Sequence, residues 1–255
     1  MSIKTNRIKG IIMDIASTVC DKGSVVPLIA MKNSWKEVYG LDIPYNILSI
    51  GMGCKKSDHI QITSGIINKP ISMDNINTLL QNMERHTLKL LENEKHSLLF
   101  DDLSFKFKLL KSRGYVLAHT TGYTTSMIQP ILYHWKKNHS YIPDLVIASD
   151  KVLNGRPSPD AINKCINELN LKPEECINID DSIVGIKAGK NANIVSAGVY
   201  EYGSWLGSHL LKPEENLDII HRDKFLNIKD LCNTTALVYP TTSKLLHNLL
   251  YGEYI

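Results

Sequence analysis

Five short apolar runs punctuate the chain, over residues 8–13, 115–119, 144–149, 176–179 and 194–199. The first is followed by Asp14, the second by Thr120-Thr121-Gly122, the third by Asp150 and the fourth by Asp180-Asp181. Unbroken apolar runs of this length, closed by turn-forming or acidic residues, predict strands buried on both faces. Between them, apolar residues recur at helical spacing over 103–113, 126–137, 159–169 and 183–190. Alternation of strand and helix predicts an α/β fold, a doubly wound parallel sheet with helices on both faces.

Residues 22–100 break that alternation. They predict several helices, over 26–39, 56–64 and 76–91, with Pro27, Pro44 and Pro70 as breaks. The expected organisation is a discontinuous core domain, 1–21 and 101–255, interrupted by a helical insertion, 22–100. With 29 Lys and Arg against 26 Asp and Glu, the formal charge is +3, so nothing suggests nucleic acid or an anionic membrane as a partner. The five cysteines are an odd number without a CxxC pair, which points away from a disulfide framework or a thiolate metal site. No apolar stretch approaches the ~20 residues of a membrane span. The apolar run after the basic N-terminus is too short for a signal peptide. The cytoplasm is therefore the expected compartment.

The polar residues at the strand ends are the candidate chemistry, because an open parallel sheet binds ligands outside the carboxyl ends of its strands. Asp14, followed by the small residues of Ile15-Ala16-Ser17-Thr18, suits a nucleophile with backbone amides nearby. It equally suits a turn cap. Asp180-Asp181 would add carboxylates, and such a group stays ionised only around a cation, for which oxygen ligands favour Mg2+. The alternative is a cap on the helix from 183. Arg156, between Gly155 and Pro157, suits a phosphate clamp, and Thr121 before Gly122 a phosphate contact; a solvated arginine and a helix cap are the alternatives.

The order Asp14, Thr121, Arg156, Asp181 resembles the haloacid dehalogenase superfamily of phosphotransferases, whose fold is a doubly wound sheet with an inserted cap where residues 22–100 fall. The usual superfamily phosphatase carries an acid two residues after the nucleophile; here that residue is Ala16. Met52-Gly53-Cys54-Lys55-Lys56-Ser57-Asp58-His59-Ile60 resembles the cap segment M-G-x-x-K-x-D-H-I of the phosphonoacetaldehyde hydrolase (phosphonatase) family. Thr120-Thr121-Gly122-Tyr123-Thr124, Gly155-Arg156-Pro157 and Asp14-x-Ala16-x-Thr18 are similar to further motifs of that family.

The resemblance implies cleavage of the phosphorus–carbon bond of phosphonoacetaldehyde. Lys56 would form a Schiff base, assisted by His59, and Asp14 would become an aspartyl phosphate. Thr121 and Arg156 would hold phosphoryl oxygens, with Met52, Gly122 and Tyr123 at the substrate. Mg2+ would sit on Asp14, the Ala16 carbonyl and Asp181, with Asp180 a further candidate. A small phosphonate as substrate, and a homodimer formed through the cap, are implied as well. Ser17, Ser24, Asp180 and Gly185 depart from the family pattern, which leaves another superfamily phosphatase, or a silent relative, as the competing expectations.

Overall fold

The computed structural model of the chain describes residues 4–100, 102–211, 217–252 and 254–255; the first three residues of the basic N-terminal stretch lie outside them. Six strands form one parallel sheet in the order β3-β2-β1-β4-β5-β6: β1 Gly10–Met13, β2 Val116–Thr120, β3 Leu145–Ile147, β4 Cys176–Asp180, β5 Val195–Val199 and β6 Leu237–Tyr239. The expected α/β class and doubly wound parallel sheet with a helical cap are the observed ones, and all five predicted strands are present. The sixth was not predicted. Three half-buried residues on the sheet edge leave too short an apolar run to be read.

Alternation along the central strand builds a core on each face. Ile11 and Met13 of β1 pack with one cluster and Ile12 with the other. Two helices, α7 (Asp160–Glu168) and α8 (Ile183–Asn191), cover the Ile12 face through Ile162, Cys165, Ile166 and Ala188. The opposite face receives Phe107, Trp135 and Leu245 from α5 (Leu103–Ser112), α6 (Thr125–His139) and α11 (Thr242–Tyr251). α9 (Gly207–Leu210) and α10 (Leu217–Thr234) lie between β5 and β6 in the chain.

Between β1 and α5 the chain forms α1 (Val25–Tyr39), α2 (Tyr45–Leu48), α3 (Lys56–Ile66) and α4 (Met73–Leu91), with no strand among the described residues. Two of the three prolines fall at element boundaries, Pro44 just before α2 and Pro70 between α3 and α4. Pro27 does not break a helix; it sits in the first turn of α1, where a missing N–H leaves no hydrogen bond unmade. Because β1 lies between β2 and β4, the residues that follow these three strands share one edge of the sheet.

Candidate active site

Asp14 directly follows β1, and its amide donates to the Ile179 carbonyl of β4 at 2.9 Å, which holds the two strand ends level. Asp181 follows β4, and Thr121 follows β2. These residues, with Ala16, Ser24, Pro27, Met52, Gly53, Lys56, Gly122, Tyr123, Arg156 and Ser204, line one small cavity. Of the residues expected at a site, this cavity brings together Asp14, Ala16, Met52, Lys56, Thr121, Gly122, Tyr123, Arg156 and Asp181.

Arg156 is the cationic hub. One terminal nitrogen pairs with Asp14 Oδ1 at 2.7 Å and with Asp180 Oδ2 at 3.3 Å. The other donates to the Thr120 hydroxyl at 2.7 Å and to its carbonyl at 3.1 Å. Burial works against the guanidinium charge, but Asp180 and Asp14 outweigh it and raise its pKa further. Thr121 turns its hydroxyl back to accept from the Tyr123 amide at 3.1 Å, which fixes the turn leaving β2.

Asp14, Asp180 and Asp181 offer oxygens that all lie within 4.8 Å of one another, and all three residues are buried. Burial raises the Asp14 carboxyl to about 6, more than Arg156 lowers it. Burial, then Asp180 and Asp14, push Asp181 up to about 8. Like charges this close are relieved by a cation, and an all-oxygen donor set suits a hard one. Asp180 Oδ2 is buried without a hydrogen-bond donor beyond the Arg156 ion pair. The residues present therefore fit a divalent cation.

Neither aspartate of the pair caps α8. Ser182 does so, its hydroxyl accepting from the Gly185 amide at 3.1 Å, while Asp180 Oδ1 accepts from the Ser182 amide and hydroxyl at 2.9 and 2.7 Å. Asp181 is fixed by the Thr18 hydroxyl at 3.1 Å and by the Ser204 amide at 2.7 Å. Ser204, in the loop after β5, and Thr120 are contributors that the sequence pattern did not single out. Thr120 stood in the strand-end motif without a role of its own and Ser204 in no motif, because both act through distant partners that only the fold brings near.

Lys56 opens α3 and is only 5% exposed, its ammonium 5.6 Å from the centre of the Tyr123 ring. Burial lowers its pKa to about 8 against the opposing pull of Asp14. His59, expected to assist Lys56, is not among the residues that line the cavity. Its ring lies inside the cap, where Nε2 donates to the Leu48 carbonyl at 2.6 Å. Burial first and Lys56 second lower it to about 3, so it stays neutral and supports the turn before Met52. Ser17 takes a left-handed backbone, with φ of 66°, where the resembling family prefers glycine. Its hydroxyl meets that of Ser24 at 2.7 Å, so these two departures touch.

The sequence pattern of the haloacid dehalogenase-like hydrolases matches residues 11–199, the stretch from β1 to β5 that carries every site residue except Ser204. The chain belongs to the haloacid dehalogenase-like hydrolases. Within this family it is similar to the phosphonoacetaldehyde hydrolase of Latilactobacillus sakei, at 25% identity over 95% of this chain and 92% of that protein. The phosphonoacetaldehyde hydrolase of Syntrophobacter fumaroxidans is 28% identical over 92% of this chain and 83% of that protein. The phosphonatase resemblance thus extends beyond the individual motifs to nearly the full length. Among solved structures, a phosphonoacetaldehyde hydrolase-like protein from Oleispira antarctica superposes with a TM-score of 0.80 at 23% identity, covering 99% of this chain and 98% of that one. A β-phosphoglucomutase from Clostridium difficile shares the fold with a TM-score of 0.67 at 17% identity, over 93% of each chain. Among the described residues, no helix is long and apolar enough to cross a membrane.

Proposed function

We propose that this haloacid dehalogenase-like hydrolase cleaves the phosphorus–carbon bond of phosphonoacetaldehyde, giving acetaldehyde and phosphate, with residues 22–100 as the cap that supplies the amine. The observation that carries this reading is a buried lysine in the same cavity as the nucleophile, where the position two residues after Asp14 is Ala16 and holds no acid. An alkoxide leaving group would call for such an acid; an imine-activated carbon does not.

Lys56 Nζ adds to the aldehyde carbon and water leaves, forming a protonated imine. Lowered to about 8, the ammonium gives up its proton near neutrality far more readily than an exposed lysine. An oxygen of Asp14 then attacks phosphorus, and the electron pair of the breaking P–C bond moves into the imine, leaving an enamine on Lys56. Protonation and hydrolysis of that enamine release acetaldehyde, and a second water cleaves the aspartyl phosphate. Arg156 and Thr121 hold phosphoryl oxygens, and Tyr123 and Met52 wall the carbon end. Asp14, Asp181 and the Ala16 carbonyl, with Asp180 a further candidate, would hold the proposed Mg2+, which when bound would neutralise charge on the phosphoryl oxygens. The reading also includes association of two copies through the cap, which light scattering on the purified protein would measure.

Borohydride reduction in the presence of phosphonoacetaldehyde, followed by peptide mass mapping, is the test. A two-carbon adduct on Lys56, absent in Lys56→Arg together with turnover, is the expected result. No adduct, with steady hydrolysis of a phosphate monoester, would favour an ordinary superfamily phosphatase instead.

A further inference from the structure

Lys55, the neighbour of the proposed Schiff-base lysine, reaches the other way. Its ammonium donates to the carbonyls of Val152 and Leu153, both at 3.3 Å, in the loop that leads into Gly155 and Arg156. Lys56 lines the cavity with Asp14, whereas Lys55 lines a second one that shares Gly53, Thr121, Gly122 and Arg156 with the first. Consecutive residues at a helix start do not face the same way, so one cannot replace the other.

The backbone is brought close at the same seam. A Cβ on Gly155 would stand 2.5 Å from Lys55 Cβ and 2.9 Å from Asp58 Oδ2, and one on Gly122 would stand 2.7 Å from the Cys54 carbonyl oxygen. Glycine at these core positions lets the start of α3 rest directly on the loops after β2 and β3. The Lys55 ammonium then ties that contact with two charge-assisted hydrogen bonds to main-chain carbonyls, whose place the fold determines.

We infer that Lys55 is a positioning residue: it seats the cap segment on the Arg156 loop and so sets Lys56 over Asp14. The consequence for turnover rests on the function proposed above; the seating itself does not.

Thiol alkylation reads the seating without substrate. Cys54 is buried at the seam, where the charges of Lys56, Asp58 and Arg156 reach its thiol. Cys20, Cys165 and Cys176 are buried in the core, and Cys232 is exposed. Lys55→Met keeps the apolar stem and removes the donor. With iodoacetamide and peptide mapping, Cys54 should label roughly tenfold faster in Lys55→Met, the loss expected for a charge-assisted hydrogen bond. The other buried thiols should hold their rates, and Lys55→Arg should return Cys54 toward the wild-type rate. An unchanged Cys54 rate, or equal acceleration at all the buried thiols, overturns the inference. With phosphonoacetaldehyde, kcat/KM should fall by a similar factor in Lys55→Met and recover in Lys55→Arg; an unchanged kcat/KM in Lys55→Met also overturns it. If the unmodified protein turns over no phosphonoacetaldehyde, the function proposed above fails, and the Cys54 rates still decide the role of Lys55.

Discussion

The carboxylate of Asp180 fills the space into which a side chain at Gly185 would project: a Cβ on Gly185 would overlap both oxygens of Asp180. The two departures from the phosphonatase pattern are therefore one arrangement, in which the strand end carries the carboxylate and the first turn of α8 makes room for it. Gly185→Asp alone should destabilise the protein by about 1–3 kcal/mol through overpacking. The reciprocal double variant Asp180→Gly/Gly185→Asp should recover most of that loss. Urea unfolding of the set as a double-mutant cycle measures the coupling, and additive effects would show that the residues are independent.

The pH dependence of imine trapping should report Lys56. The neutral amine is the nucleophile, and burial lowers its ammonium to about 8. Reductive trapping should therefore increase as pH rises and level off above about 8. A midpoint near the ordinary lysine value would mean that another amine, outside this cavity, carries the adduct.

Metal binding should be linked to protons in the opposite sense to acid. Asp14 and Asp181 hold their protons up to about 6 and about 8, so a cation must displace them. Millimolar Mg2+ should raise Tm, with a shift that grows from pH 5 to pH 8 and disappears in Asp181→Asn. A shift independent of pH, or retained in that variant, would place the cation elsewhere.

Ala16 sits beside the nucleophile and lines the same cavity. Placing a carboxylic acid there supplies the general acid that a monoester leaving group needs. Ala16→Asp should raise hydrolysis of an alkyl phosphate such as glycerol 2-phosphate, whose alkoxide must be protonated as it leaves, by roughly 10², the lower range for such catalysis, and reduce phosphonate cleavage. Unchanged monoester hydrolysis would show that the missing acid is not what separates the two activities.

The strand-end logic was legible because buried parallel strands leave unbroken apolar runs, and the residue that ends such a run is locally marked. Asp14 ends its run directly, Thr121 and Asp181 follow one residue later in Thr120-Thr121 and Asp180-Asp181, and the cap motif around Lys56 is contiguous in sequence. What the His59 ring meets is something that spacing cannot reveal. The i+3 relation puts it near Lys56 on α3, but whether that face meets the substrate or the Leu48 carbonyl depends on how the preceding turn folds back. Ser204 left no pattern, since its backbone amide carries the contact to Asp181, and Thr120 stood in the strand-end motif without showing that its hydroxyl and carbonyl would face Arg156.

By itself, then, the sequence determined the alternation that makes a parallel sheet, the insertion after β1, and the residue types available at each strand end, because hydrophobic period and turn chemistry are local. Only the tertiary structure decided which oxygens converge on one cation, that Gly185 yields its space to Asp180, and that adjacent Lys55 and Lys56 point to different tasks. Those outcomes depend on distances between segments far apart in the chain, which burial and backbone packing set and no local pattern encodes.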